Sequence, residues 1–131
     1  MDDQLLAGKR VLVVEDEMLV LMAIENMLAD LGCTSITVAA TIDKALGLIA
    51  SNEFDLATLD LNLNGQRSYP IAKALEEHDV PFAFSTGYGT DSLEEGYARH
   101  PVLNKPFTCS QLVTVITGLL EPSVGVTPAL G

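Results

Sequence analysis

Glu15-Asp16-Glu17 and Asp60 are the residues of this sequence best placed to do chemistry together. Each group closes a short apolar run: Val11-Leu12-Val13-Val14 leads into the acidic triplet, and Leu56-Ala57-Thr58-Leu59 into Asp60. Ser85-Thr86 and Asn104-Lys105 close two more. If the runs are strands of one parallel sheet, these polar residues meet at the carboxyl rim, where open α/β sheets bind ligands. Carboxylates crowded there repel, and at least one resists ionising unless something offsets the charge. A hard divalent cation such as Mg²⁺ suits an all-oxygen site and keeps several waters. An aspartate beside such an ion can attack a phosphoryl group and hold it as an acyl phosphate. The ion and the Lys105 ammonium then neutralise the phosphoryl oxygens. The Thr86 hydroxyl is the group to bond the new phosphate and draw its loop inward. Glu17 alone has no part in this scheme.

The elements that must position these residues alternate between two periodicities. Arg10–Glu15, Ser35–Ala39, Asp55–Asp60, Pro81–Thr86 and Val102–Asn104 read as short buried strands. Between them run helical patterns. Glu17–Leu31 carries a stripe of Val20, Ile24, Met27 and Leu31 and ends at Gly32. Thr41 caps a helix to about Asn52, with Ile42, Ala45, Leu46 and Ile49 inward. Ser68 caps a third, with Pro70 in its first turn. Asp91–Ala98 is a weak helix, weakened by Gly96. Thr108 caps a last helix running to Glu121, where Pro122 stops it. Asn62–Gly65 reads as a turn. Five strands alternating with five helices predict a parallel sheet with helices on both faces. The predicted organisation is an N-terminal extension over 1–9, one domain over 10–121 and a flexible C-terminal tail over 122–131.

Composition narrows the function classes. The 131 residues suit one domain. With 48% hydrophobic residues, 5% aromatic and no Trp, the core must be aliphatic. Eighteen acidic against seven basic residues leave a net charge of −11, and no cationic patch for nucleic acid. No apolar stretch is long enough to span a bilayer, and the start lacks a secretory pattern, so a cytoplasmic, membrane-free protein is expected. Cys33 and Cys109 lie far apart with no ligand spacing and read as free thiols.

Val-Val-Glu15-Asp16-Glu17, Leu59-Asp60-Leu61-Asn62, Thr86-Gly87 and Lys105-Pro106-Phe107, in this order, resemble the receiver domains of two-component response regulators. The resemblance runs from about Arg10 to Glu121. It implies a flavodoxin-like (CheY-like) fold with strand order 2-1-3-4-5. Asp60 is then the phosphoacceptor, and Mg²⁺ (with Mn²⁺ as substitute) is held by Asp16 and Asp60 directly, by Glu15 through water and by the backbone carbonyl of Asn62. Thr86 is the switch hydroxyl, Lys105 the phosphate partner, and the peptide bond to Pro106 is cis. The family's phosphodonor docks on the first helix, where Met18 and Met22 lie off the buried stripe. The family's aromatic three residues before the lysine is replaced by Val102, so its usual coupling to the threonine is absent. Phe84-Ser85-Thr86-Gly87-Tyr88 resembles a single-domain subclass. Tyr88 reads equally as a substitute switch aromatic and as an exposed loop tyrosine.

The resulting expectation is a single-domain response regulator. It takes phosphate from a histidine kinase or histidine phosphotransfer protein, then switches binding to a downstream protein or drains phosphate from a shared kinase. It is a signalling phosphoprotein rather than an enzyme, beyond limited self-phosphorylation and autodephosphorylation. The alternative is a phosphorylation-independent pseudo-receiver that only binds proteins, against which the full set of acids, Thr86 and Lys105 argues. A haloacid-dehalogenase phosphatase needs an aspartate where Asn62 stands. A nucleotide carrier needs a Gly-rich loop after the first strand, which is missing.

Overall fold

The computed structural model describes residues 4–87 and 93–121. Its elements are β1 (Arg10–Val14), α1 (Met18–Asp30), β2 (Ser35–Ala39), α2 (Ile42–Ser51), β3 (Leu56–Asp60), β4 (Asn62–Leu63), β5 (Gln66–Arg67), α3 (Tyr69–Glu77), β6 (Phe82–Thr86), β7 (Val102–Asn104) and α4 (Cys109–Leu120). The main sheet is parallel, in the order β2-β1-β3-β6-β7. Taken in sequence, its five strands are thus ordered 2-1-3-4-5, the flavodoxin-like arrangement.

The central strands are apolar on both faces because helices cover both. Every residue of β3 is buried, as are four of the five in β1. Strand alternation sorts them between two cores. Leu12, Val14, Leu59, Phe82 and Phe84 meet Ala45 and Ile49 of α2 and Ile71 and Leu75 of α3. Val11, Val13, Leu56 and Ala83 meet Ile24 and Leu28 of α1 and Leu112 and Ile116 of α4. The second core also takes in Leu6, whose amide donates to the Leu31 carbonyl at 2.8 Å, so the described residues just before β1 pack against it.

Local signals act where their chemistry is complete. The Thr41 hydroxyl accepts from the Lys44 amide at 3.2 Å. Thr108 and Gln111 form a reciprocal capping box at 2.9 and 3.1 Å. Gly32 takes the positive φ of 89° that ends α1. Three expectations need correction. The buried stripe of α1 is Ile24, Leu28 and Leu31, with Val20 and Met27 only half-buried. At about 100° per residue Leu28 lies about 40° round from Ile24, on the side away from Val20 and Met27, so the buried face is turned toward Leu28 and leaves those two at its edge. The weak helix expected over Asp91–Ala98 is, among the described residues, one 3-10 turn at Glu95–Tyr97. Gly96 lies at its centre, where a longer helix would be costly. The turn after β3 is a small antiparallel hairpin, with Asn62 opposite Arg67 and Leu63 opposite Gln66. Tyr88 and the tail over 122–131 lie outside the described residues.

Thr58, in the middle of β3, buries a hydroxyl with no hydrogen-bond partner among the described residues. An unpartnered buried hydroxyl costs about 1 kcal/mol or more, and an apolar group of the same shape removes that cost. Thr58→Val is therefore expected to stabilise the protein by about 1 kcal/mol, read as a higher urea midpoint at unchanged slope.

Candidate functional site

Backbone ladders carry the chemical residues to one rim. The Glu15 amide extends the β1–β2 ladder by donating to the Ala39 carbonyl at 3.0 Å. Asp60 closes β3 opposite Ser85 of β6. The Lys105 amide donates to the Thr86 carbonyl at 2.8 Å, which joins the ends of β6 and β7. The Lys105–Pro106 peptide bond is cis. These ends open on a cleft of about 600 Å³, whose polar wall holds Asp16, Asp60, Asn62, Thr86 and Lys105. Its apolar wall includes Val20 and Phe107.

At this rim, Glu15, Asp16 and Asp60 each offer a carboxylate oxygen within 4.8 Å of the others'. Three hard oxygen donors that close, two of them on buried residues, fit a small divalent cation such as Mg²⁺. Asp60 is 3% exposed and Glu15 1%. The Lys105 ammonium bonds Asp60 Oδ2 at 3.2 Å, Glu15 Oε1 at 3.3 Å and Glu17 Oε1 at 3.4 Å. Asp60 Oδ1 accepts from the Asn62 amide at 3.1 Å. Asp16 Oδ2 accepts from the Asn64 amide at 3.0 Å.

The hairpin after β3 explains that last contact. Asn64 and Gly65 take positive φ values of 52° and 84°, the tight-turn geometry that Asn-Gly pairs favour. The Asn64 side chain ties the turn to the Ala40 carbonyl at 3.4 Å. Asn62, whose carbonyl is the expected metal ligand, opens the hairpin and lines the cleft. Arg67, at the other end of the hairpin, is exposed.

Ser68 differs from its expected role. It begins α3, but its hydroxyl makes no bond to the helix and instead donates to the Asp60 carbonyl at 2.6 Å. Ser68 is fully buried. The start of α3 is thereby fixed to the backbone of Asp60. Neither histidine belongs to the site. His78 ends α3, with its ring nitrogen on the Ala74 carbonyl at 3.0 Å. His100 stacks on Phe82 at 4.4 Å and meets Glu76 at 2.9 Å. Val102 is half-buried, packed on the first core as Tyr97 is. Tyr97 stacks on Tyr69 at 4.8 Å.

Burial, then the Asp60 charge, raises the Glu15 carboxyl from the ordinary 4.5 to about 7. Burial raises Asp60 too, against the opposing pull of the Asn62 amide and Lys105. Lys105 is lowered by burial but raised further by Asp60 and Glu15, and ends above its usual value. For Glu15 the folded protein holds a proton that the unfolded chain has lost, between pH 4.5 and about 7. Its stabilising share is thus complete below 4.5 and is lost as pH rises through about 7. Metal-free protein is expected to lose on the order of 2 kcal/mol between about pH 5 and about pH 8, measured by urea unfolding in chelator.

The family model for the response regulator receiver domain matches residues 11–117. The chain belongs to that family. Receiver domains are signalling switches of two-component systems. A solution structure of SdrG from Sphingomonas melonis Fr1 superposes with a TM-score of 0.78 at 38% identity, covering 86% of this chain and 97% of that one. SdrG has also been solved in a BeF3-activated conformation, with a TM-score of 0.77, 38% identity and coverage of 88% and 98%. The receiver domain of the Erythrobacter litoralis PhyR response regulator gives 0.76 at 30% identity, covering 88% and 95%. The transcriptional regulatory protein YvrH of Bacillus subtilis (strain 168) is 27% identical over 115 residues, 85% of this chain. This receiver chain spans 48% of YvrH, about half its length.

Reasoning from sequence placed Glu15, Asp16, Asp60, Thr86 and Lys105 at this rim, and the structure brings them together. It missed Ser68 beneath Asp60, Asn64 on Asp16 and Glu17 on Lys105. The Asn64-Gly65 pair was the available signal for the hairpin. No sequence signal marked the Ser68 contact.

Proposed function

We propose that this receiver is switched by phosphorylation of Asp60, with Mg²⁺ bound by Asp16 and Asp60 directly, by Glu15 through water and by the Asn62 carbonyl. The observation that carries the reading is the Lys105 ammonium, 3.2 Å from a buried Asp60 carboxylate inside an acid cluster. One Asp60 oxygen attacks phosphorus, the bond to the donor's leaving atom breaks, and an aspartyl phosphate remains. When bound, Mg²⁺ supplies charge neutralisation of the phosphoryl oxygens. Lys105 contributes the fixed cation on the protein side. Thr86, at 2% exposure on the cleft wall, is the hydroxyl that follows the phosphate. SdrG, the relative captured in a BeF3-activated conformation, supports a phosphoryl-driven switch, since BeF3 on a carboxylate imitates an acyl phosphate. Intact mass after incubation with acetyl phosphate tests it. One added phosphoryl group that depends on Mg²⁺ supports the reading, and its absence with both acetyl phosphate and a phosphohistidine donor favours a pseudo-receiver.

The donor in the cell is a histidine kinase or histidine phosphotransfer protein, and a cytoplasmic setting goes with such a partner. Among the described residues no helix is long and apolar enough to cross a membrane. Met18 and Met22 are 66% and 49% exposed at the start of α1, beside the cleft, with Leu19 at 81%. Flexible thioethers suit an adaptable docking face. Met18→Glu with Met22→Glu is expected to slow transfer from a phosphohistidine donor by roughly tenfold, the size of one lost apolar anchor. Labelling by acetyl phosphate should be unchanged. Unchanged transfer from the protein donor would remove the docking assignment.

A further inference from the structure

We propose that Glu17 is a placeholder for the phosphoryl group: its carboxylate holds a hydrogen of the Lys105 ammonium that a phosphoryl oxygen takes over once Asp60 is modified. This inference rests on Asp60 being the acceptor.

An ammonium has three hydrogens to donate. In the unmodified protein Lys105 faces Asp60 at 3.2 Å, Glu15 at 3.3 Å and Glu17 at 3.4 Å. The three carboxylates therefore take up its whole donor capacity, and a new acceptor must displace one of them. The Glu15 side chain is fully buried and is held a second time, by the Glu17 amide at 3.1 Å. Asp60 is the residue being modified and stays in place. The Glu17 side chain is 64% exposed, so its ion pair is screened by water and weak. Exchange falls on Glu17.

Its place in the chain supports the same conclusion. Glu17 is the N-cap residue of α1, in extended geometry with φ −92° and ψ 116°, yet its side chain makes no capping bond. Ser, Thr, Asp or Asn would cap those amides. The longer glutamate reaches past the helix it opens and lands on Lys105. Glu17 is thus a positioning residue. It holds the lysine at the mouth of the cleft and gives way when phosphate arrives.

Two substitutions separate this from a general charge effect. Glu17→Gln removes the charge. Glu17→Asp keeps it but shortens the side chain, whose carboxylate then turns to the free amides of α1. At saturating Mg²⁺ and low salt, both variants should take up phosphoryl from acetyl phosphate roughly two- to fivefold faster than wild type, the range of an exposed ion pair. The advantage should narrow in ~0.5 M salt, where the wild-type pair is already screened. In metal-free protein, the Lys105 ammonium nitrogen resonance should move in both variants. Rates equal to or below wild type in both would overturn the proposal. So would a fast Gln variant beside an Asp variant at the wild-type rate, which marks simple repulsion of an anionic donor. A wild type that takes no phosphoryl group from any donor removes the acceptor reading and this one with it. A labelled wild type with unaltered variants removes only this one.

Discussion

Asp60→Asn protein is expected to gain no mass from acetyl phosphate under conditions in which wild type gains one phosphoryl group. The effect should be complete rather than partial. An amide oxygen is a poor nucleophile and cannot hold a phosphoryl group as a stable acyl phosphate. Among the described residues, no other carboxylate shares its position: the Glu15 oxygens lie under Lys105, and Asp16 is held by the hairpin amide. The substitution should not unfold the protein. Burial already raises the Asp60 carboxyl, so the fold disfavours its charge, and a neutral isostere relieves it. Metal-free stability should hold or rise in urea unfolding. A variant that still gained the mass would move the acceptor elsewhere.

Asp16→Ala is expected to weaken Mg²⁺ binding by roughly 100-fold, since it deletes one of the two carboxylates proposed to hold the hard cation directly. Phosphoryl uptake at millimolar Mg²⁺ should fall with it and recover in part as Mg²⁺ is raised. That concentration dependence separates a metal ligand from a residue that acts on the donor. The chain has no tryptophan to report binding, so titration calorimetry is the direct measurement. The same substitution frees the Asn64 amide, now bonded to Asp16 at 3.0 Å, to water. Asn64 is exposed, so the cost to stability should be small. Unchanged affinity would place the cation away from Asp16.

The strands were legible because buried parallel strands must be short apolar runs, and β1, β3 and β6 are just that, whereas their order followed from the family resemblance alone. The rim was legible for the same reason: a charged residue closing such a run has few places to go. What escaped were contacts between residues distant in sequence with no periodicity to betray them. Ser68 carries the residue type of a helix cap, and only the nearness of the Asp60 carbonyl draws its hydroxyl away. Glu17 looked surplus because a first-turn acid is ordinary. Its partner lies 88 residues on and meets it only through the sheet. The helix expected over Asp91–Ala98 is, among the described residues, a 3-10 turn at Glu95–Tyr97 with Gly96 at its centre.

The rungs at the sheet's end bear on how this site can change over time. Glu15 is tied through its amide to Ala39, Leu61 to Ser85 and Lys105 to Thr86, all main chain to main chain. The placement of the functional positions is thus written in bonds that any amino acid except proline can make. Side chains at the rim can be exchanged one at a time while the scaffold keeps its register. Variation can therefore explore new reaction rates, partners and lifetimes in this cleft without first solving the folding problem again.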